Sequence, residues 1–170
     1  DSTLVMAPKK TVLVTGASGF FGKHLIKSLC KTVDGTIVRM GFCNSSATDI
    51  TADLTTKGQW QQVIAELSIS HVIHLAGVSR TTDRKLLRKI HIDGLSNLLE
   101  AVEDANPWFL LVSSGAVYGN VPWQDLPINE KSATAPLTEY ALTKVAQEEL
   151  LRGASDTLKG LCIVRPSNLI

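Results

Sequence analysis

Net charge is the first thing this chain lacks. Its 17 Lys and Arg stand against 16 Asp and Glu, a formal balance of +1, and no stretch is a run of one sign. Without a charge excess there is no general electrostatic reason to expect nucleic acid or an anionic membrane as partner. Cysteine is scarce too: Cys30, Cys43 and Cys162 lie far apart, with no CxxC and no paired histidines beside them. Such a set fits small apolar side chains buried in a reducing compartment, and it argues against disulfides or a metal site. No apolar run approaches the ~20 residues of a membrane span, and the N-terminus shows no signal-peptide pattern. These absences point to a cytoplasmic protein. Met6 reads as a natural start with DSTLV ahead of it as a remnant, so residues 1–10 are taken as a tail and 11–170 as the domain.

What is present is an alternation. TVLVTG (residues 11–16) is a short β-branched run ending in glycine, the pattern of a buried strand. Phe20, Leu25, Ile26 and Leu29 then recur at helical spacing until Asp34 and Gly35. TIVRM (36–40) predicts a second strand and residues 50–53 a short third. HVIHLAG (71–77), WFLLVSS (108–114) and GLCIVRP (160–166) predict three more. Residues 55–67 predict a helix with Trp60, Val63, Ile64 and Leu67 apolar. Residues 82–105 predict a long helix with Leu86, Leu87, Ile90, Leu95, Leu98, Leu99 and Val102 on an inward stripe, and 138–151 a further one. Strands apolar on both faces, alternating with helices, imply one α/β domain on a parallel sheet covered on both sides.

The junction of first strand and first helix reads TGASGFFG, which sets Gly16, Gly19 and Gly22 in a GxxGxxG spacing. Gly16 suits the tight turn off the strand, and Gly22 suits close helix–strand packing. Gly19 suits the approach of backbone to a pyrophosphate, with Ser18, Phe20 and Phe21 around it. The helix N-terminus there offers free N–H groups to an anion. The plainer alternative is three glycines needed only for a sharp turn. About 20 residues on, where a carboxylate would accept from the ribose of NAD, stand Arg39, Met40 and Gly41. Arg39 in that place suits a 2′-phosphate and favours NADP over NAD, the alternative being a solvated arginine at a strand end. Asp53 and Leu54 suit the adenine, although Asp53 could equally cap the next helix. At a second strand end, Leu75, Ala76 and Gly77 are placed for a cofactor to lie against the backbone.

TGASGFFG, HLAG, SSGAVYG, YALTK and RPSN, in that order, resemble the extended short-chain dehydrogenase/reductase family, also called the NAD-dependent epimerase/dehydratase family. The resemblance spans nearly the whole chain and implies a Rossmann-type doubly wound sheet in three α/β/α layers. It implies Tyr140 as catalytic acid/base, with Lys144 one helical turn on lowering its pKa and holding the nicotinamide ribose. It implies Ser114 as donor to the substrate oxygen, with Gly115 beside it. Pro166 and Ser167 would border the carboxamide, and Asn168 would touch substrate. Singly, Tyr140 could be a packing residue, Lys144 a solvated one and Ser114 a turn former; together they read as an acid and the group that tunes it. His91 in KIHIDG departs from the family's asparagine and reads as altered tuning, while His71 and His74 read as ordinary strand residues.

Within the family, SSGAVYGNVPWQDLPINE resembles reductases of 4-keto-6-deoxy sugar nucleotides. Dehydratases place an Asp-Glu pair after the catalytic Ser/Thr, where this chain has Gly115 and Ala116. A nucleotide-sugar 4-epimerase uses the same groups and is the enzymatic alternative; a non-catalytic dinucleotide-binding module is the alternative of another class. The family continues into a small C-terminal substrate region, and the chain is expected to stop short of it. Homodimerisation through the two long helices, 82–105 and 138–151, is also what the resemblance implies.

Overall fold

A computed structural model describes residues 9–167. Six strands form one parallel sheet: β1 (Lys10–Thr15), β2 (Gly35–Gly41), β3 (Ile50–Thr51), β4 (His71–His74), β5 (Trp108–Val112) and β6 (Gly160–Val164). Their order in space is β3-β2-β1-β4-β5-β6. The strand order reverses between β1 and β4, where Val14 pairs with Ile73 and Thr15 with His74. In a doubly wound sheet the crevice outside that reversal is where a ligand fits.

The crossovers are helices, as a parallel sheet requires. They are α1 (Phe20–Thr32), α2 (Gln59–Glu66), α3 (Arg84–Arg88), α4 (Gly94–Val102) and α5 (Glu139–Gly153). One face of the sheet carries the main core: Leu13, Val38, Met40, Val72, Phe109 and Leu111 pack against Trp60, Ile64, Leu95, Leu98 and Leu151 from α2, α4 and α5. The other face is covered over β1 and β2 by α1, whose Leu25, Ile26 and Leu29 are half-buried. Further along that face Trp108 and Val164 remain 47% and 41% exposed. Among the described residues α1 is the helix on this side, so the layer is thinner there than the all-apolar strands predict.

Several local expectations change. The helix predicted from residue 55 begins at Gln59, because Asp53 folds the chain into a turn first: its Oδ1 accepts from the N–H and the hydroxyl of Thr55 at 2.9 and 2.7 Å. Asp53 therefore caps no helix. The helix predicted over 82–105 is a helical rod with a widened π turn at Lys89–Asp93 between α3 and α4. That turn shifts the register, leaving Leu86 41% exposed although its spacing places it on the inward stripe. Cys30, Cys43 and Cys162 are free and exposed, which corrects the expectation of buried thiols. No helix among the described residues is long and apolar enough to cross a membrane.

Candidate functional site

Two cavities, of about 520 and 490 Å³, open side by side over the carboxyl ends of β1 and β4. They share Gly16, Gly19, Leu75, Gly77 and Val78, so they form two halves of one trough at the reversal point.

The floor is the glycine turn. Gly16 adopts φ +70°, and a Cβ there would sit 2.8 Å from the Ala76 nitrogen and 2.9 Å from the Leu75 carbonyl carbon. Only glycine lets the turn cross the β4 exit at that distance. A Cβ on Gly22 would come within 2.3 Å of the Gly16 oxygen, which is how closely α1 packs on the turn. Gly19 differs: its φ is −69°, and a Cβ there would have only the Gly16 oxygen near it, at 3.2 Å. As N-cap of α1 it supplies no side-chain acceptor, and the first turn holds no acid. The leading N–H groups of α1 are left for an anion in the cavity lined by Phe20, Phe21 and Gly22. The donor set fits a pyrophosphate.

The second half of the trough is mostly apolar. Met40, Phe42, Ala52, Leu54, Ala76 and Ile90 line it, with Ser18 and Asp53 supplying polar edges. Arg39 lines neither half. It forms a bidentate pair with Asp49, Nε to Oδ2 at 3.0 Å and Nη2 to Oδ1 at 2.5 Å, and donates from Nη1 to the Ser46 carbonyl. The Asp49 bond raises the guanidinium's pKa, and Asp49 is lowered in turn. Because the guanidinium is spent on Asp49, the expected NADP preference loses the observation on which it rested.

In the first half, Ser114, Tyr140, Lys144, Pro166 and Ser167 converge with the glycine turn. Helix α5 is capped by Thr138, whose hydroxyl accepts from the Ala141 N–H at 3.1 Å. Tyr140 and Lys144 follow one turn apart on the face turned to the β5 exit. Lys144 is 5% exposed, and its Nζ donates to the Val112 carbonyl at 3.1 Å and to Gln147 Oε1 at 2.9 Å. Desolvation lowers its pKa to about 8, with Glu148 pulling the other way. Burial raises the Tyr140 phenol above its ordinary value, and the Ser114 hydroxyl opposes this. The expected lowering by Lys144 is not the net result in the chain itself, since Nζ lies 5.9 Å from the ring centroid and is directed at Val112 and Gln147.

His91, on the π turn, is fully buried and stands edge-on to Tyr140 with 5.7 Å between ring centroids. The Val78 N–H donates to Nε2 at 3.1 Å, so Nδ1 carries the proton and donates to Thr143 Oγ1 at 2.8 Å. The Thr143 hydroxyl in turn donates to the Tyr140 carbonyl at 2.9 Å. The imidazole is neutral: desolvation, with Lys144 nearby, lowers its pKa to about 4. His74, wholly buried beside Thr15, falls to about 3 for the same first reason.

Gly115 lies behind the wall, where a Cβ would meet Ser167 Cα at 3.2 Å. Asn168 is outside the described residues. Sequence reasoning missed Val78, Ser79 and Val112 in the first half and Phe42, Lys89 and Ile90 in the second. Ser79 and Val112 adjoin recognised motifs, a signal that could have found them. Gln147 and Glu148, to which the sequence assigned no role, are 0% and 1% exposed. Among the described residues no group of three or more His, Cys, Asp or Glu could hold a metal ion.

Comparison with known proteins follows the same lines. Residues 12–170 match the model of the NAD dependent epimerase/dehydratase family. UDP-glucose 4-epimerase of Drosophila melanogaster is 30% identical over 185 residues, covering 94% of this chain and 52% of that protein. Among solved structures, Thermus thermophilus UDP-glucose 4-epimerase in complex with NAD superposes with TM-score 0.79 at 26% identity, covering 91% of this chain and 54% of that one. RMD from Pseudomonas aeruginosa complexed with NADPH gives TM-score 0.72 at 30% identity, covering 94% and 54%. The chain spans about half the length of the curated relatives it matches.

Proposed function

The chain belongs to the NAD dependent epimerase/dehydratase family, and on that premise we propose that its trough holds a nicotinamide dinucleotide and serves hydride transfer at a ring carbon of a nucleotide-sugar. The observation that carries the reading is the meeting of Ser114, Tyr140 and Lys144 with the glycine turn in one cavity. The bound cofactor would supply the hydride, or accept it, at its nicotinamide ring. Tyr140 gives or takes the proton at the reacting oxygen, and the Ser114 hydroxyl steadies charge developing there. Lys144, held by Val112 and Gln147, keeps an N–H for the cofactor ribose and a positive charge beside the phenol. The α1 N-terminus takes the pyrophosphate, the slot between Phe42 and Ile90 takes the adenine with Asp53 at its edge, and Pro166 and Ser167 border the carboxamide.

With Arg39 committed to Asp49 and no carboxylate at the end of β2, neither a 2′-phosphate nor a 2′-hydroxyl has a dedicated partner. NADPH and NADH should therefore bind within about tenfold of each other, ~1.4 kcal/mol. Solved relatives that hold NAD and NADPH are consistent with either.

Dehydration is disfavoured, because Gly115 and Ala116 bring no carboxylate to abstract a proton. Two reactions remain. Reduction of a 4-keto-6-deoxy sugar nucleotide is favoured by the stretch from Ser113 to Glu130, and 4-epimerisation by the similarity to UDP-glucose 4-epimerases. They differ in the fate of the cofactor. Reduction consumes NADPH in step with the keto-sugar, whereas epimerisation of UDP-glucose proceeds with no net cofactor change. Absence of both activities in a full-length protein that binds the cofactor and carries the substrate region would remove the catalytic reading. Pairing of two copies across the two long helical segments, 82–105 and α5 with its Leu142 45% exposed, belongs to the same proposal and is read by sedimentation equilibrium.

A further inference from the structure

Glu148 stands one helical turn beyond Lys144 and is 1% exposed. Its Oε1 accepts from Ser113 Oγ at 2.6 Å and from Arg165 Nε at 2.8 Å. Its Oε2 accepts from Arg165 Nη2 at 2.5 Å and from Arg152 Nη1 at 3.3 Å. Ser113 is the first residue past β5 and Arg165 the first past β6. One carboxylate on α5 thus holds the exits of two neighbouring strands. The backbone joins the same exits, Ser113 N–H to the Val164 carbonyl at 2.8 Å and Gly115 N–H to the Pro166 carbonyl at 2.7 Å. Arg165 extends the tie through Nη1 to the Tyr118 hydroxyl at 2.8 Å, which donates to the Asn129 carbonyl at 3.1 Å in the loop before α5.

Those exits are the wall of the reacting half of the trough, since Ser113, Ser114, Pro166 and Ser167 line it opposite Tyr140 and Lys144. We propose that Glu148 is a positioning residue for the Tyr140–Lys144 pair: it pins the β5 and β6 exits to the helix that carries both, and it supplies the negative charge that the buried Lys144 ammonium senses.

The electrostatic surroundings support the second of these roles. Tyr140 and Glu148 stand one turn before and after Lys144 on α5. His91 Nε2 from the π turn and Lys144 Nζ both close on Gly77, and the Nζ bond from the β5 side is to a carbonyl. His74 on β4 is the other imidazole whose charged form Lys144 disfavours. Both imidazoles are neutral near pH 7. Glu148 is thus the negative charge in that set, and it stays ionised: burial alone would raise its pKa, but the bonds from Arg165 and Ser113 carry it below the ordinary value. A buried ammonium without a counter-charge gives up its proton more readily. Removing the carboxylate would also leave Arg165 and Arg152 as uncompensated positive charges on the same side.

This inference rests on the reading of Tyr140 and Lys144 as the reacting pair, but its test needs no turnover and no cofactor. In chain carrying 13C-labelled lysine, the Lys144 side-chain resonance is followed against pH, with Lys144→Met identifying the signal. Glu148→Gln keeps the shape and removes the charge; its Lys144 midpoint should fall by about one pH unit. A folded Glu148→Gln chain with the wild-type midpoint overturns the proposal. Should that variant not fold, Arg165→Gln tests the same charge from the other side. It strips Glu148 of its main neutralising cation, so the Lys144 midpoint should rise; a midpoint that stays or falls overturns it. A merely structural tie would move neither midpoint.

Discussion

Gly19 and Gly22 stand three residues apart, and alanine at each should do opposite things. At Gly19 the backbone, φ −69° and ψ 168°, is open to alanine, and the new methyl would meet only the Gly16 oxygen at 3.2 Å. That carbonyl has to give by a few tenths of an ångström, so folding stability should change by less than about 1 kcal/mol. The methyl would, however, occupy open space in the cavity that Gly19 lines, where a phosphate oxygen would have to approach the N–H groups of α1. Losing one charge-assisted hydrogen bond of that kind costs ~1.5–3 kcal/mol, or about 10- to 100-fold in affinity. At Gly22 the methyl would lie 2.3 Å from the Gly16 oxygen and 2.8 Å from the Ala17 oxygen, both backbone. Forcing it in should cost ~1–3 kcal/mol of stability or more. Urea unfolding reads the stabilities, and titration of reduced-nicotinamide fluorescence reads the affinities. Gly19→Ala binding NADPH as tightly as the unaltered chain would refute the cradle, whatever Gly22→Ala does.

Tyr140→Phe should leave cofactor affinity within about twofold while lowering turnover of the full-length enzyme by ~100-fold or more, the usual weight of a general acid or base, as steady-state rates would show. Stability should rise between about pH 8 and 9.5 by ~2 kcal/mol on account of Lys144. Its native value of about 8 lies below the 10.5 of an ordinary lysine, so the unfolded chain holds more protons in that window. Urea unfolding of Lys144→Met across the same range should lack that rise. On the acid side, His91 and His74 sit near 4 and 3 in the fold against 6.5 unfolded. Their stabilisation is complete above pH 6.5 and is lost as the pH falls below it, by ~2 kcal/mol for each imidazole by pH 5. His91→Asn should flatten that limb in the same unfolding experiment.

The parts of this fold that depend on neighbours in sequence were legible. Short apolar runs marked the strands, and the glycine spacing at the β1–α1 junction placed the trough. The Tyr140 and Lys144 spacing placed both on one face of α5. What escaped depends on partners far along the chain or on local hydrogen bonds that override periodicity. Arg39 at a strand end looks the same whether it faces a phosphate or a carboxylate ten residues on, and Asp49 decides that. Thr55 bonding to Asp53 delays α2, and the π turn at Lys89–Asp93 carries His91 inward and leaves Leu86 out. Glu148 lies in a Glu-Glu-Leu stretch that carries no motif of its own. Only the converging β5 and β6 exits make it a buried anchor.

The most direct test of the central claim is titration of the purified chain with NADPH and NADH, following nicotinamide fluorescence. The trough predicts saturable binding of both, with dissociation constants within about tenfold of each other. A folded chain that binds neither would contradict the assignment of the glycine turn as a dinucleotide cradle.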